Sequence, residues 1–112
     1  MHNITEYRGF ILPTGRPKVE RVVQGEATPL PLRLDLYTGS PTGFAWGYGG
    51  SGPAQLALAL LADVLEDDEQ ALRLHQSFKW RAIFPLSFND GWTMSSLDVI
   101  DHVQQIEAEG FA

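Results

Sequence analysis

FAWGYGGSGPAQLALALLADVL, residues 44–65, joins a short aromatic piece to an apolar run through a literal G-x-G-x-x-G at Gly47, Gly49 and Gly52. Two folds can follow from such a join. In a dinucleotide-binding unit the glycines let backbone approach a pyrophosphate, the helix start offers unpaired N–H groups, and a second parallel strand comes next. In a packing corner the same glycines supply positive φ and close approach to a helix, here with Trp46 and Tyr48 packed over them. The residues that follow decide the matter. EDDE, residues 66–69, is succeeded by a second helical stripe, so no strand completes a βαβ unit. Asp67 and Asp68 fall at a helix–helix junction, not at the end of a strand where a ribose-binding acid belongs. Pro53 deletes an N–H donor, and Pro53-Ala54 stands where a P-loop needs Lys and Ser or Thr. The packing corner is therefore the expectation. A helix start still attracts anions whatever the fold, so a phosphorylated small ligand or other anion held at Gly47, Tyr48, Gly49, Gly50 and Ser51, with Tyr48 or Trp46 stacking on it, is the alternative.

The helix after the glycines is well signalled, with Ser51 or Gly52 as cap, Pro53 in the first turn and strong helix formers over residues 54–65. It is apolar on almost every face, which predicts a central helix covered by sheet and by other helices. The carboxylates of residues 66–69 can cap the next helix, whose stripe is Ala71, Leu74, His75, Phe78 and Ala82 and whose end falls near Pro85. NDG, residues 89–91, is a turn, and Ser95-x-x-Asp98 opens a closing helix with Val99, Ile100, Val103 and Ile106 on one face.

In the N-terminal part, residues 4–12 and 19–23 are rich in β-branched and aromatic residues around the turn PTGRP, and predict two strands. After a turn at residues 24–26, Leu30, Leu32, Leu34 and Leu36 recur at period two. That pattern predicts a half-buried strand or an extended arm that a second copy could exchange. Pro29 and Pro31 cannot donate to a ladder and put its start on an edge. Together these segments predict an α+β domain over residues 1–112, a small antiparallel sheet from the N-terminal half packed against three C-terminal helices.

Composition limits the function classes. A chain of 112 residues with 44% apolar residues builds one core, and with no cysteine it has no disulfide, thiolate zinc site or cysteine nucleophile. The start, MHNITEYRGF, lacks the pattern of a secretory signal, so the expected location is the cytoplasm. The longest apolar run, residues 56–62, is far short of the ~20 residues of a membrane span. The net charge is −6, with five of the eight bases in residues 1–35 and five carboxylates without a Lys or Arg in residues 82–112. Such a balance disfavours direct nucleic-acid binding and suits a basic partner.

No catalytic constellation emerges. Around Ser51 the nucleophile-elbow pattern would need glycine where Pro53 stands. His75 reads as a core-edge histidine, His2 lies near the terminus, and His102 beside Asp101 reads as solvated. No His and carboxylate pair at the i, i+4 spacing comes with the further ligand that a helical metal site shows. FKWR, residues 78–81, interleaves bases with an aromatic, but Lys79 and Arg81 suit a helix end better than a nucleobase, and Phe78 and Trp80 are expected to reach the core. The expectation is a non-enzyme without cofactor or metal.

The segments SPTGFAWGYGGSGPAQLALALLADVL, ALRLHQSFKWRAIFPL and GWTMSSLDV resemble a family of small bacterial, phage and plasmid proteins with no assigned activity. The resemblance runs over residues 30–99, is most specific at residues 46–56, and leaves the first 29 residues and the acidic tail outside. It implies a compact α+β unit and service to mobile elements, and carries over no catalytic residue. The expected function is an interaction protein that inhibits a host defence complex by occupying a basic nucleic-acid-binding groove on a protein partner. Asp63, Glu66, Asp67, Asp68 and Glu69, bunched at one helix junction, are the residues expected to make that contact. The oligomeric state is open.

Overall fold

The computed structural model describes residues 4–110. Two strands, β1 (Glu6–Ile11) and β2 (Pro17–Val23), pair antiparallel with Tyr7 opposite Arg21 and Gly9 opposite Val19. β2 continues into β3 (Glu26–Pro29) through Gln24 at φ 52° and Gly25 at φ 82°. Left-handed backbone at both central residues is the hairpin turn whose twist matches that of the strands. Pro29 closes β3 on the sheet edge, where its missing N–H leaves no ladder bond unmade.

The sheet has the order β3-β2-β1-β4, and its fourth strand, β4 (Trp92–Ser95), comes from the C-terminal half. The sequence had predicted only a turn and a helix there. Trp92 and Met94 are buried while Thr93 between them is exposed, a period-two signal confined to four residues.

Residues 30–36 are not a strand. Leu30 donates one bond to the Val19 carbonyl at 3.1 Å, after which Pro31 has no donor to offer and Arg33, at φ 57°, bends the chain into a turn closed by Leu36 N–H on the Arg33 carbonyl. The leucine alternation is real as burial, since Leu30, Leu32 and Leu36 join the core and Leu34 is exposed. The segment folds back on its own chain and is not an extended arm.

Four helical pieces follow. α1 (Ser51–Leu65) is buried without interruption over residues 52–62 and is the central helix. Its N-cap is Gly50, with no side-chain cap, so Ser51 is already helical and the cap expected at Ser51 or Gly52 is corrected by one residue. Glu66 ends it in the left-handed region. Asp67 caps α2 (Asp68–Phe78) by accepting the Gln70 N–H at 3.1 Å. The chain then widens into a π-helical turn, Lys79–Ile83, closed by Phe84 N–H on the Lys79 carbonyl at 2.9 Å. α3 (Ser96–Ala108) starts with the reciprocal Ser95 and Asp98 capping box that the sequence predicted.

Tyr7, Val19, Trp92 and Met94 join α1 in one core, while Glu6 with Arg8 and Lys18 with Glu20 form ion pairs on exposed sheet positions. The molecule is an α+β fold.

Candidate functional site

The glycine loop sits between this core and the π-helical turn. Gly47 has φ 84° and donates its N–H to the Ile83 carbonyl at 3.1 Å. A Cβ at this position would stand 2.6 Å from the Phe88 Cα, so only glycine lets the loop close on that backbone. At Gly49 a Cβ would stand 2.4 Å from Cη2 of Trp80, whose six-membered ring therefore lies on the loop. The Gly49 carbonyl accepts from Lys79 Nζ at 3.4 Å, and that ammonium is 4.4 Å from the Trp80 ring centroid. The Lys79 stem is buried and its charge is spent on the loop and the ring.

Trp46 is in the core, with Nε1 donating to the Asp90 carbonyl at 2.9 Å and its ring edge-on to Trp92. It cannot stack on a ligand, which corrects half of that expectation. Tyr48 remains 41% exposed. A cleft of about 240 Å³ opens at the start of α1, lined by residues that include Arg16, Thr42, Tyr48, Ser51 and Gly52. Of the five residues expected to hold an anion, Tyr48 and Ser51 line this cleft; Gly47 and Gly49 are engaged with Ile83 and Lys79, and Gly50 stands against the Tyr48 ring.

What the loop supports is aromatic. Trp80 is 53% exposed and packs with Phe84 at 5.2 Å between centroids; Phe88, 58% exposed, packs with Tyr48 at 5.8 Å. The π-helical turn carries two of these rings. It turns Lys79, Ala82 and Ile83 inward and leaves Trp80 and Phe84 outside. Arg81 fastens the turn to α3 through Glu109 at 2.8 Å and through Gln105. Trp80 does not reach the core as expected: it stands two residues from both Phe78 and Ala82, on the side of the helix opposite their stripe, and Phe84 follows it one turn on.

The five carboxylates at the helix junction separate into two groups. Asp63 accepts from the Tyr7 hydroxyl at 2.5 Å and from Arg21 Nε at 3.1 Å, tying the end of α1 to the sheet. Burial first, and the bond to Asp63 second, push the Tyr7 hydroxyl well above the usual tyrosine range. Asp67 is the α2 cap, and Asp68 pairs with Arg33 at 3.1 Å, which also pairs with Asp35. Glu66 and Glu69 have no ion pair among the described residues. Three of the five therefore serve the fold, and only Glu66 and Glu69 are free for a partner.

Among the histidines, His75 is buried with Nδ1 2.6 Å from the Leu72 carbonyl, as a core-edge histidine should be. His102 is not solvated as expected. Its ring stands edge-on to Phe78, its Nδ1 is buried without a partner, and burial, helped by the Arg81 charge, holds its pKa below the ordinary value. His2 lies outside the described residues. Among the described residues no group of three or more His, Cys, Asp or Glu is placed to hold a metal ion, and no helix is long and apolar enough to cross a membrane.

The family of unknown function DUF6166 matches residues 7–105. The chain belongs to DUF6166. The match begins inside β1, so the N-terminal strands, which the sequence resemblance left outside, are part of the same unit as the glycine loop. In DUF6166 terms, sheet, loop, π-helical turn and most of α3 form one block. No curated protein and no solved structure matches the chain.

Proposed function

We propose that this protein is a binding module without catalytic activity, and that it meets a protein partner through the rings of Tyr48, Trp80, Phe84 and Phe88. The observation that carries this reading is the exposure of those rings, between 41% and 58%, on a loop and a turn joined by the Gly47 N–H to the Ile83 carbonyl. Large apolar side chains exposed together mark interaction surfaces, and Trp and Tyr are the residues that most often dominate interface energies. A finer version keeps the inhibitor of a host defence complex, with Glu66 and Glu69 meeting the rim of a basic groove. Rim charges of this kind steer association and contribute little else.

The test is capture of partners from the native host by the wild-type chain, by Trp80→Ser with Phe84→Ser, and by Glu66→Lys with Glu69→Lys. A partner held by the wild type and lost by the aromatic variant supports the proposal. Equal capture by the aromatic variant overturns it, and loss confined to the charge-reversed variant transfers the contact to the helix junction.

A second reading, an anion or phosphorylated small ligand at the α1 start, is favoured by the cleft that Arg16 shares with Ser51 and Thr42. It expects thermal stabilisation by millimolar phosphate or a phosphosugar that Arg16→Ala removes. No stabilisation of the wild type excludes it.

A further inference from the structure

The two edges of the sheet differ in what they leave unpaired. Ladder bonds between antiparallel strands alternate, so every second residue of an edge strand directs its N–H and C=O away from the sheet. The Ser96 N–H on the Thr5 carbonyl at 2.8 Å sets this alternation between β1 and β4. Tyr7 with Met94 and Gly9 with Trp92 are then bonded pairs, and Arg8 faces Thr93 without a bond. Thr93 is exposed and turns its N–H and C=O to the open edge, where neither has a partner among the described residues. The N–H and C=O of Gly91, also exposed, are unbonded as well. At the far edge the Leu30 bond to Val19 sets the same alternation, and the outward positions are Ala27 and Pro29. Pro29 has no N–H to offer and Glu26 adds a charge, both of them guards against edge pairing. β4, WTMS, has neither proline nor charge.

We infer that β4 is the edge through which two copies of this chain pair, antiparallel, about a two-fold axis at Trp92. In that register Thr93 faces the second copy's Gly91 and Gly91 faces its Thr93, so the free N–H and C=O of each residue meet the free C=O and N–H of the other. None of these groups is left over. An axis at Thr93 would instead set Gly91 against Ser95, whose N–H is already given to the Asp98 carboxylate at 2.9 Å.

A cleft of about 450 Å³ lies at the same corner, lined by residues that include Arg8, Phe10, Gly91 and Thr93. A Cβ at position 91 would stand 2.9 Å from the Gly9 carbonyl oxygen, so this corner of β4 carries no side chain of its own. The second copy's Thr93, opposite Gly91, enters the space. Arg8, the charged residue of the cleft, is paired with Glu6 on its own strand, so the seam brings no bare charges together. Three residues a side cover far less than the ~800 Å² per partner of a stable interface, and the pair therefore forms only at high concentration. A foreign strand competes for the same groups, but the second copy brings the matching set, unpaired and in register. The seam uses none of the four exposed rings and is independent of the proposed function.

The experiment is sedimentation equilibrium of the full chain up to millimolar concentration, in salt that screens the net charge of −6, with amide hydrogen exchange on the same samples. The average mass should rise from one chain toward two, with slowed exchange at the Gly91 and Thr93 amides and no change at Ala27. Thr93→Pro removes the outward N–H without touching the β1 ladder, and should hold the chain monomeric at an unchanged melting temperature. Thr93→Lys keeps the backbone, places a charge in the corner, and should also prevent pairing. If Thr93→Pro lowers the melting temperature, Thr93→Lys decides alone. A chain that stays monomeric throughout overturns the inference. So do pairing that survives Thr93→Lys, pairing lost only in Trp80→Ser with Phe84→Ser, and slowed exchange at Ala27 in place of Thr93. Protection of Thr93 that appears only with a captured protein partner assigns the edge to a foreign strand and overturns it too.

Discussion

Gln55 is fully buried in the apolar face of α1, and its amide meets the whole irregular segment that follows the sheet. Nε2 donates to the Leu32 and Tyr37 carbonyls at 2.7 and 2.9 Å, and Oε1 accepts the Ser40 N–H at 3.0 Å. Gln55→Leu would orphan three backbone groups and should cost about 2–4 kcal/mol in urea unfolding, since each buried unpaired group costs ~1–3 kcal/mol. A lone amide inside an apolar helix is the signal that sequence inspection had available and did not use. Glycines show the opposite case, where the types were legible and their duties were not. Gly47→Ala meets backbone at positive φ and should destabilise by about 2 kcal/mol or more, whereas Gly49→Ala meets the edge of an exposed ring and should cost less while moving Trp80. Chemical denaturation with tryptophan fluorescence separates the two.

Titration belongs to the same scale. His102 is faced by Arg81 from the π-helical turn and by Asp98 and Asp101 of its own helix, and its pKa is depressed. The unfolded chain therefore takes up a proton more readily, and stability present above about pH 6.5 declines as the pH falls below it. His102→Leu should flatten that slope in thermal melts at a series of pH values. For Tyr7 the raised pKa has the reverse consequence. Its contribution is complete below about pH 10 and is lost on further alkalinisation, and Tyr7→Phe should remove that loss.

At the scale of elements, legibility followed length and period. α2 and α3 each carry enough turns for a stripe and a cap to agree, with the Ser95 and Asp98 box present as read, whereas α1 was legible from its unbroken apolar run although its cap falls at Gly50. Ser95→Ala should cost about 1 kcal/mol, measured as a lower urea midpoint without change of slope. β4 was missed because Trp92 and Met94 make only one alternation, and its existence depends on the free edge of β1 being there to pair with. The leucines of residues 30–36 misled for a related reason. Burial at period two is common to strands and to any extended chain lying on a core, and the difference lies in where the backbone bonds go. Here the Leu30 N–H goes to the Val19 carbonyl, the Leu36 N–H to the Arg33 carbonyl, and the Leu32 carbonyl to Gln55. The π-helical turn is illegible in principle, since a single wide turn at the end of a helix leaves the preceding apolar spacing intact.

For the molecule as a whole, the acidic charge and the aromatic surface are separable. Trp80→Ser with Phe84→Ser removes side chains about half exposed, so the melting temperature should change little while partner binding is lost. Intact binding would remove the aromatic face as the contact, and a large fall in melting temperature beside it would give the rings a structural role instead. Charge reversal at Glu66 and Glu69 should alter the salt dependence of association and leave the fold alone, because neither has an ion-pair partner among the described residues.

The amino-acid order alone determined the class of fold, the central burial of α1 and the succession of a second helix, not a strand, after it, because each rests on local period and on the residues that terminate a helix. Tertiary structure decided which residues are free. Three of the five junction carboxylates were claimed by Tyr7, Arg21, Arg33 and the α2 start, Trp46 was drawn inside, and Trp80 and Phe84 were left outside. Exposure of a side chain depends on contacts between segments distant in the chain, and a one-dimensional pattern holds no record of those.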